Sequence, residues 1–170
     1  MANTFTLIAS SVVGSGGATW IDFTSIPQTY TDLKLVFSGR FDNTNNYISI
    51  KINGDTGLYS YLSKEISGSG SSAGAGGWAT APYWGFGNKS SYTANTFGST
   101  EMYFPNYTGS AQKSASIESV TENSATGSNM LISAGLWQNT AAITSISIRP
   151  DAPSNWVQHS SAFLYGIKNS

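Results

Sequence analysis

Alternation of apolar and polar side chains with a period of two runs through this chain and constrains its fold more than any other feature. The clearest example is Tyr47 to Asn53, in which three isoleucines share one side of an extended chain. Asn53-Gly54 follows at once, and this dipeptide favours a type I′ hairpin turn. The pattern therefore predicts a β-hairpin whose second strand is Leu58 to Leu62.

Further segments show the same period and are bounded by Gly, Pro, Asn or Ser. They are Phe5 to Leu7, Ile21 to Phe23, Leu33 to Phe37, Thr100 to Phe104, Ala115 to Thr121, Met130 to Trp137, Ala142 to Ile148 and Ser161 to Ile167. In the segment that ends at Trp137, we expect Ile132, Ala134 and Leu136 to point inward.

The predicted strands are short. No long helix is expected, because no window of eleven residues combines apolar side chains at helical spacing with capping residues. We therefore predict an all-β fold of nine or ten strands, with residues 1–170 forming a single domain. Short strands with frequent turns favour a two-sheet antiparallel sandwich that is jelly-roll-like, with an open barrel as the second choice.

The composition excludes several classes of function. Only 10% of the residues are charged, with eight Lys and Arg against nine Asp and Glu, so nucleic acid binding is not expected. There is no cysteine, hence no disulfide framework and no thiol nucleophile. The longest purely apolar run is Ala162 to Tyr165, far short of the roughly 20 residues that a membrane helix needs. The first residues carry no export signal, so we expect folding in the cytoplasm.

The most unusual local feature is a group of aromatic residues that follows a Gly- and Ser-rich tract. The tract, Ser67 to Gly77, is expected to be flexible from its composition. The group consists of Trp78, Tyr83, Trp84 and Phe86, and core packing, contact with a partner subunit and stacking on a glycan all remain open for it. Trp137 and Trp156 are assigned to the core.

Possible catalytic patterns are weak. Gly70 to Gly74 fits the G-x-S-x-G pattern of serine hydrolases, and Asp151 and His159 follow Ser72 in the matching order. However, the pentapeptide lies in a Gly/Ser tract and not between a strand and a helix, as that pattern requires.

Two further patterns involve carboxylates. Asp55-Thr56-Gly57 matches the aspartic protease triplet but occurs once, inside a turn. Residues 42–46 offer closely spaced oxygens for Ca²⁺, yet the Gly and Glu of the known calcium loop are missing. We therefore predict no enzymatic activity, no cofactor and no metal.

Several phrases of the sequence resemble structural proteins of tailed-bacteriophage virions, of the capsid decoration, cement or fibre type known from phages of aquatic bacteria. The phrases are Trp20 to Phe23, Ser25 to Leu33, Phe37 to Arg40, Ile52 to Asp55, Asn106-Tyr107, Ala142 to Ile146 and Ser161 to Ile167. Their order and spacing, more than any single phrase, carry the resemblance.

The resemblance implies a structural role on the particle. The expected function is a capsid decoration or cement subunit that binds the major capsid protein or another virion protein, on the virion surface. We expect a homo-oligomer, with a trimer as the first choice, and no contact with nucleic acid or membrane. The alternative is a glycan- or receptor-binding module of a tail or head fibre.

Overall fold

The computed structural model describes residues 4–69, 72–78, 82–123, 128–151 and 153–168. Within them the chain forms twelve strands and one short 3-10 turn at Leu58–Ser60. The strands are β1 (Phe5–Val12), β2 (Ile21–Phe23), β3 (Asp32–Gly39), β4 (Tyr47–Ile52), β5 (Tyr61–Ser69), β6 (Ser72–Trp78), β7 (Tyr83–Phe86), β8 (Gly98–Phe104), β9 (Lys113–Val120), β10 (Asn129–Trp137), β11 (Ile146–Pro150) and β12 (Ser161–Ile167). The predicted all-β fold is confirmed.

Eight of the strands have the connectivity of a jelly roll. Neighbouring strands β1, β12, β3 and β8 belong to the larger sheet, while β2, β11, β4 and β7 form the smaller one. The antiparallel pairs β1 with β12, β2 with β11, β3 with β8 and β4 with β7 are all present. The chain thus switches between the two sheets like one long hairpin rolled up on itself, which is the jelly-roll arrangement.

The other four strands are insertions that widen the larger sheet. Strands β5 and β6 are inserted between β4 and β7, and β9 and β10 between β8 and β11. They continue the sheet beyond β8 in the order β9, β10, β5 and β6. The larger sheet therefore has eight strands against four in the smaller one, and its two free edges are β1 and β6.

The core lies between the two sheets, as the alternation predicts. Ile48, Ile50 and Ile52 of β4 are buried, with exposed fractions of 2% or less. They belong to one hydrophobic cluster with the alternate residues of β3 in the opposite sheet, such as Leu35. Burial of these rows between two packed sheets is the main source of stability in a sandwich.

Trp137 and Trp156 are core residues, as predicted, with exposed fractions of 1%. The Trp156 ring meets Phe41 edge to face at 5.1 Å between centroids. It also lies against Gly39, where an added Cβ would come within 2.3 Å of the ring. Glycine is needed at this position because the indole occupies the space of a side chain.

Asn53-Gly54 forms the predicted turn but not the predicted hairpin. Both residues have positive φ, 51° and 75°, and Asp55 N donates to Ile52 O at 2.9 Å, as in a type I′ turn. Strand β4, however, pairs with β11 and β7, and the chain after the turn crosses to the larger sheet. The prediction that Leu58 to Leu62 pairs with this strand is wrong, because both of its edges are already taken.

The predicted orientation of β10 is also wrong. Ile132, Ala134 and Leu136 lie on the outer face, whereas Leu131 and Trp137 of the other parity are buried. The inner face of β10 carries small residues at positions 133 and 135, which leave room for the aromatic core. Hydrophobicity alone therefore favoured the wrong face.

The Gly- and Ser-rich tract forms strand, and not a loop, in its described part. Most of it belongs to the antiparallel hairpin of β5 and β6, whose register runs from Ser63 opposite Trp78 to Ser69 opposite Ser72. A Cβ on Gly77 would lie 2.7 Å from Ser63 O, so a larger residue would push the strands apart. Small residues permit this close pairing.

The strand predicted at Ala142 to Ile148 is shifted, since β11 begins at Ile146. No helix in the described residues has the length and apolarity needed to cross a membrane.

Candidate functional site

The aromatic group singled out in the sequence is mostly part of the core. Trp84 and Phe86 of β7 have exposed fractions of 0 and 5%. The indole of Trp84 meets the Tyr61 ring edge to face at 5.8 Å and covers Gly135, where a Cβ would lie 2.5 Å from it. These two side chains are thus core residues, which is the first of the three alternatives left open for the aromatic group, and their burial leaves them no surface for a partner.

Tyr83 and Trp78 lie at the border of the core. Tyr83 is half-buried beside the Tyr47 ring, with 5.5 Å between centroids. Burial, and then the nearby carboxylate of Asp151, raise the pKa of Tyr83, so the phenol stays neutral at physiological pH. Trp78 ends β6 opposite Ser63, and its side chain lies outside the described part of the structure.

The hydrolase residues are not brought together. Ser72 begins β6, one edge of the larger sheet, while the exposed His159 directly precedes β12 near the opposite edge. Six strand spacings separate these strands, or about 29 Å along the sheet. Ser72, Asp151 and His159 therefore form no triad.

Asp55 has a structural role in the turn after β4. Its carboxylate accepts hydrogen bonds from Trp137 Nε1 at 2.9 Å and from Gly57 N at 2.8 Å. Burial acts to raise its pKa, but these hydrogen bonds outweigh burial and hold the pKa below the ordinary value of 3.8. An ionised carboxylate that anchors a core indole lacks the shared proton of an aspartic protease.

The oxygens of residues 42–46 are used within the protein. The Asp42 carboxylate accepts from Ser154 Oγ at 3.0 Å and Asn155 N at 2.8 Å, while Asn43 and Asn45 form successive Asx turns. Among the described residues, no three His, Asp or Glu side chains form a group that could hold a metal ion.

The outer face of the inserted strands exposes a cluster of four large aliphatic side chains. They come from three neighbouring strands and have exposed fractions between 43 and 60%. We call them the aliphatic patch: Ile66, Val120, Met130 and Ile132. Ile132 lies directly opposite Ile66, and Met130 directly opposite Val120.

Direct cross-strand partners have Cβ atoms about 5 Å apart, so the patch is continuous. It borders a shallow depression of about 360 Å³ that Ser99 and Glu118 also line. An exposed aliphatic cluster of this kind on a polar surface is typical of a protein contact site.

The sequence analysis missed this patch because it assigned Ile132 and the other even-numbered residues of β10 to the core. A usable signal was present, since both parities of residues 129–137 carry large apolar side chains. A strand with two apolar faces is either buried on both faces within its own chain, or it has one face available to a partner.

Comparison of the chain with protein-family models, with curated proteins and with solved structures finds no significant match. The class established by the fold is an all-β jelly-roll sandwich with a widened sheet.

Proposed function

We propose that this chain is a structural subunit of a bacteriophage virion, specifically a capsid decoration or cement protein. In this role it binds the shell surface, contacts the major capsid protein or another virion protein, and uses no cofactor. The observation that carries the proposal is the aliphatic patch, Ile66, Val120, Met130 and Ile132, on the outer face of the larger sheet. The class of partner is inferred from the sequence phrases, such as Trp20 to Phe23, that resemble phage virion proteins.

The size of the patch fits a contact that is strengthened by repetition. Scaled from the exposed fractions, its four side chains present roughly 400 Å², comparable to the largest patch on many monomers. At about 25 cal/mol per Å², complete burial yields about 10 kcal/mol before the costs of association are subtracted. Symmetric repetition over a shell then multiplies a modest single contact.

The scarcity of charge supports the same role. A subunit that meets its partner at high local concentration on a particle needs shape fit more than long-range steering. We further propose a homo-oligomer, with a trimer as the first model, because β1 and β6 at the two ends of the larger sheet have a free edge among the described strands. Assembly would cover at least one of them.

The rival role, a glycan-binding module of a fibre, loses Trp84 as its stacking platform, since that indole is buried. A hydrolase would need an arrangement other than Ser72, Asp151 and His159.

The test is binding to heads of the phage that encodes this chain, after the protein has been stripped from them. Added purified protein should co-sediment with the heads and raise their survival to heat or osmotic shock. Ile132→Glu should weaken binding at least tenfold, because it buries a charge in the contact.

The matched control is Leu58→Glu, which changes a leucine of equal exposure, 59% against 60%, outside the patch. It should bind as the native protein does. Equal binding of both variants, or binding that leaves particle survival unchanged, would contradict the proposal.

A further inference from the structure

The depression beside the aliphatic patch is lined by side chains of two kinds. Val120, Met130 and Ile132 of the patch line it with apolar groups, and Glu101 and Glu118 line it with carboxylates. Glu118 on β9 lies directly opposite Ile132 on β10 and, on its other side, directly opposite Glu101 on β8. The depression, of about 360 Å³, therefore has an apolar part and an acidic part that are in contact with each other.

The two carboxylates face each other across neighbouring strands. Direct cross-strand partners have Cβ atoms about 5 Å apart, and like charges in such a pair destabilise a sheet. The chain has only nine Asp and Glu residues, yet Glu101 and Glu118 form such a pair. The isolated subunit therefore carries an electrostatic cost at this position that a cation between the two carboxylates would remove.

Only one of the two carboxylates is paired within the protein. Lys34 Nζ lies 2.6 Å from Glu101 Oε2. Glu118 is exposed, and its side chain forms no hydrogen bond or ion pair with any other residue that the structure describes. This second carboxylate is therefore open to a cation from another molecule.

A surface that covers the aliphatic patch must also cover Glu118. Because Glu118 is the direct cross-strand neighbour of Ile132, a partner packed on that isoleucine takes water away from the carboxylate as well. A carboxylate that loses its water without gaining a partner is strongly destabilising. An entirely apolar partner surface therefore does not fit this site.

The combination of apolar and acidic groups is complementary to a long basic side chain. Lysine and arginine lay their aliphatic stems on apolar surfaces and keep their charged heads among polar groups. The planar guanidinium of arginine can in addition donate to several carboxylate oxygens at once. Both parts of such a side chain find a counterpart in the depression.

We propose that the virion protein that binds the aliphatic patch inserts an arginine or lysine side chain into this depression. Its aliphatic stem lies against the patch, and its cationic head lies between Glu101 and Glu118. This inference rests on the proposed function and specifies the partner, whose contact surface carries apolar side chains with a cation directly beside them. The opposed carboxylates then have a role, because the cation attracts both of them.

The test measures binding of full-length variants to stripped heads. Glu118→Gln keeps the shape of the side chain and removes its charge, and it should weaken binding roughly three- to tenfold, as loss of an ion pair near the border of an interface does. Glu118→Lys replaces attraction by repulsion and should weaken binding by roughly a hundredfold. Added NaCl should weaken binding of the native protein more steeply than binding of Glu118→Gln.

Thermal unfolding of the free subunit separates this role from a structural one. Glu118→Gln removes the like-charge opposition to Glu101, so it should bind more weakly and yet unfold at the same or a higher temperature. A lower unfolding temperature for this variant would show that the carboxylate stabilises the subunit itself, and would contradict the proposal.

The matched control is Asp22, an exposed carboxylate on the outer face of the smaller sheet. Asp22→Asn and Asp22→Lys change the net charge by the same amounts and should bind as the native protein does. Equal weakening by the Asp22 and Glu118 variants would overturn the proposal, because net charge alone would then explain the loss.

The outcome for Ile132→Glu distinguishes this inference from the proposed function. If that variant loses binding while both Glu118 variants bind as the native protein does, the basic side chain is ruled out and the proposed function stands. If the native protein itself does not bind the heads, the proposed function fails, and this inference fails with it.

Discussion

Replacement of Asn53 by alanine should destabilise the fold through two separable effects. The Asn53 side chain joins the turn after β4 to the loop before β11. Its Oδ1 accepts from Thr144 N at 2.8 Å, Thr144 Oγ1 at 3.1 Å and Ser145 N at 3.0 Å, and its Nδ2 donates to Ala142 O at 2.7 Å. The residue also holds a φ of 51°, which alanine adopts at a cost.

The expected size follows from these contacts. Four hydrogen bonds in a partly exposed setting contribute about 2–3 kcal/mol together, at the lower half of the usual range per bond. The positive φ adds about 1 kcal/mol for alanine and little for glycine. Asn53→Ala should therefore lower the free energy of unfolding by about 3–4 kcal/mol, and Asn53→Gly by about 1 kcal/mol less.

The assay is urea unfolding followed by tryptophan fluorescence, with the slope m checked for constancy between variants. Asn53→Asp is the comparison variant, because it keeps the acceptor oxygen but replaces the donor to Ala142 O by a carboxylate oxygen that repels this carbonyl. It should fall between the native protein and the alanine variant. An alanine variant within 0.5 kcal/mol of the native protein, well under the loss of even a single typical hydrogen bond, would contradict this prediction.

Three further predictions concern other parts of the fold. Gly135→Ala should lower the free energy of unfolding in urea by about 1–3 kcal/mol, because the new methyl group collides with the Trp84 indole. Gly74→Ala is the control and should not destabilise the protein, because that strand position is open. Equal effects of the two substitutions would contradict this prediction. The folded pKa of Asp55 lies below 3.8, so its ionised carboxylate stabilises the fold above about pH 4. This contribution disappears as the pH falls through the folded pKa. Asp55→Asn should therefore lose more free energy of unfolding at pH 7 than at pH 3. The Arg40 guanidinium donates hydrogen bonds to four backbone carbonyls in the segment that follows Lys89. Arg40→Met should therefore speed tryptic cleavage after Lys89. An unchanged cleavage rate would show that these hydrogen bonds do not order the segment.

Local alternation was enough to predict the class of fold and much of the core. The isoleucines of β4 and the indoles of Trp137 and Trp156 are buried as expected, because period-two burial is a property of the strand itself. Strand pairing was not predictable in the same way. The type I′ turn at Asn53-Gly54 forms, yet the next strand joins the other sheet, since the partners of β4 are fixed by distant segments.

The candidate site was harder to predict, for a physical reason. Trp84 is large and apolar in a Gly-flanked segment, and nothing local shows that Gly135, 51 residues later, leaves a space for its ring. The Gly- and Ser-rich tract likewise becomes a strand only because β5 offers it an edge to pair with. Both outcomes depend on tertiary contacts that override local composition.

The jelly-roll scaffold and the aliphatic patch lie on different strands of the chain. The sequence phrases on which the proposed phage role depends lie in the eight jelly-roll strands or in loops next to them, and none lies in β5, β6, β9 or β10. The aliphatic patch, in contrast, is built from these inserted strands. On the inner face of the inserted strands, small buried polar residues such as Ser63 and Ser133 take the place of aliphatic ones. The proposed class of protein therefore depends on the scaffold and the proposed contact on the insertions, so substitutions in the aliphatic patch should weaken the proposed particle binding and leave the jelly roll folded.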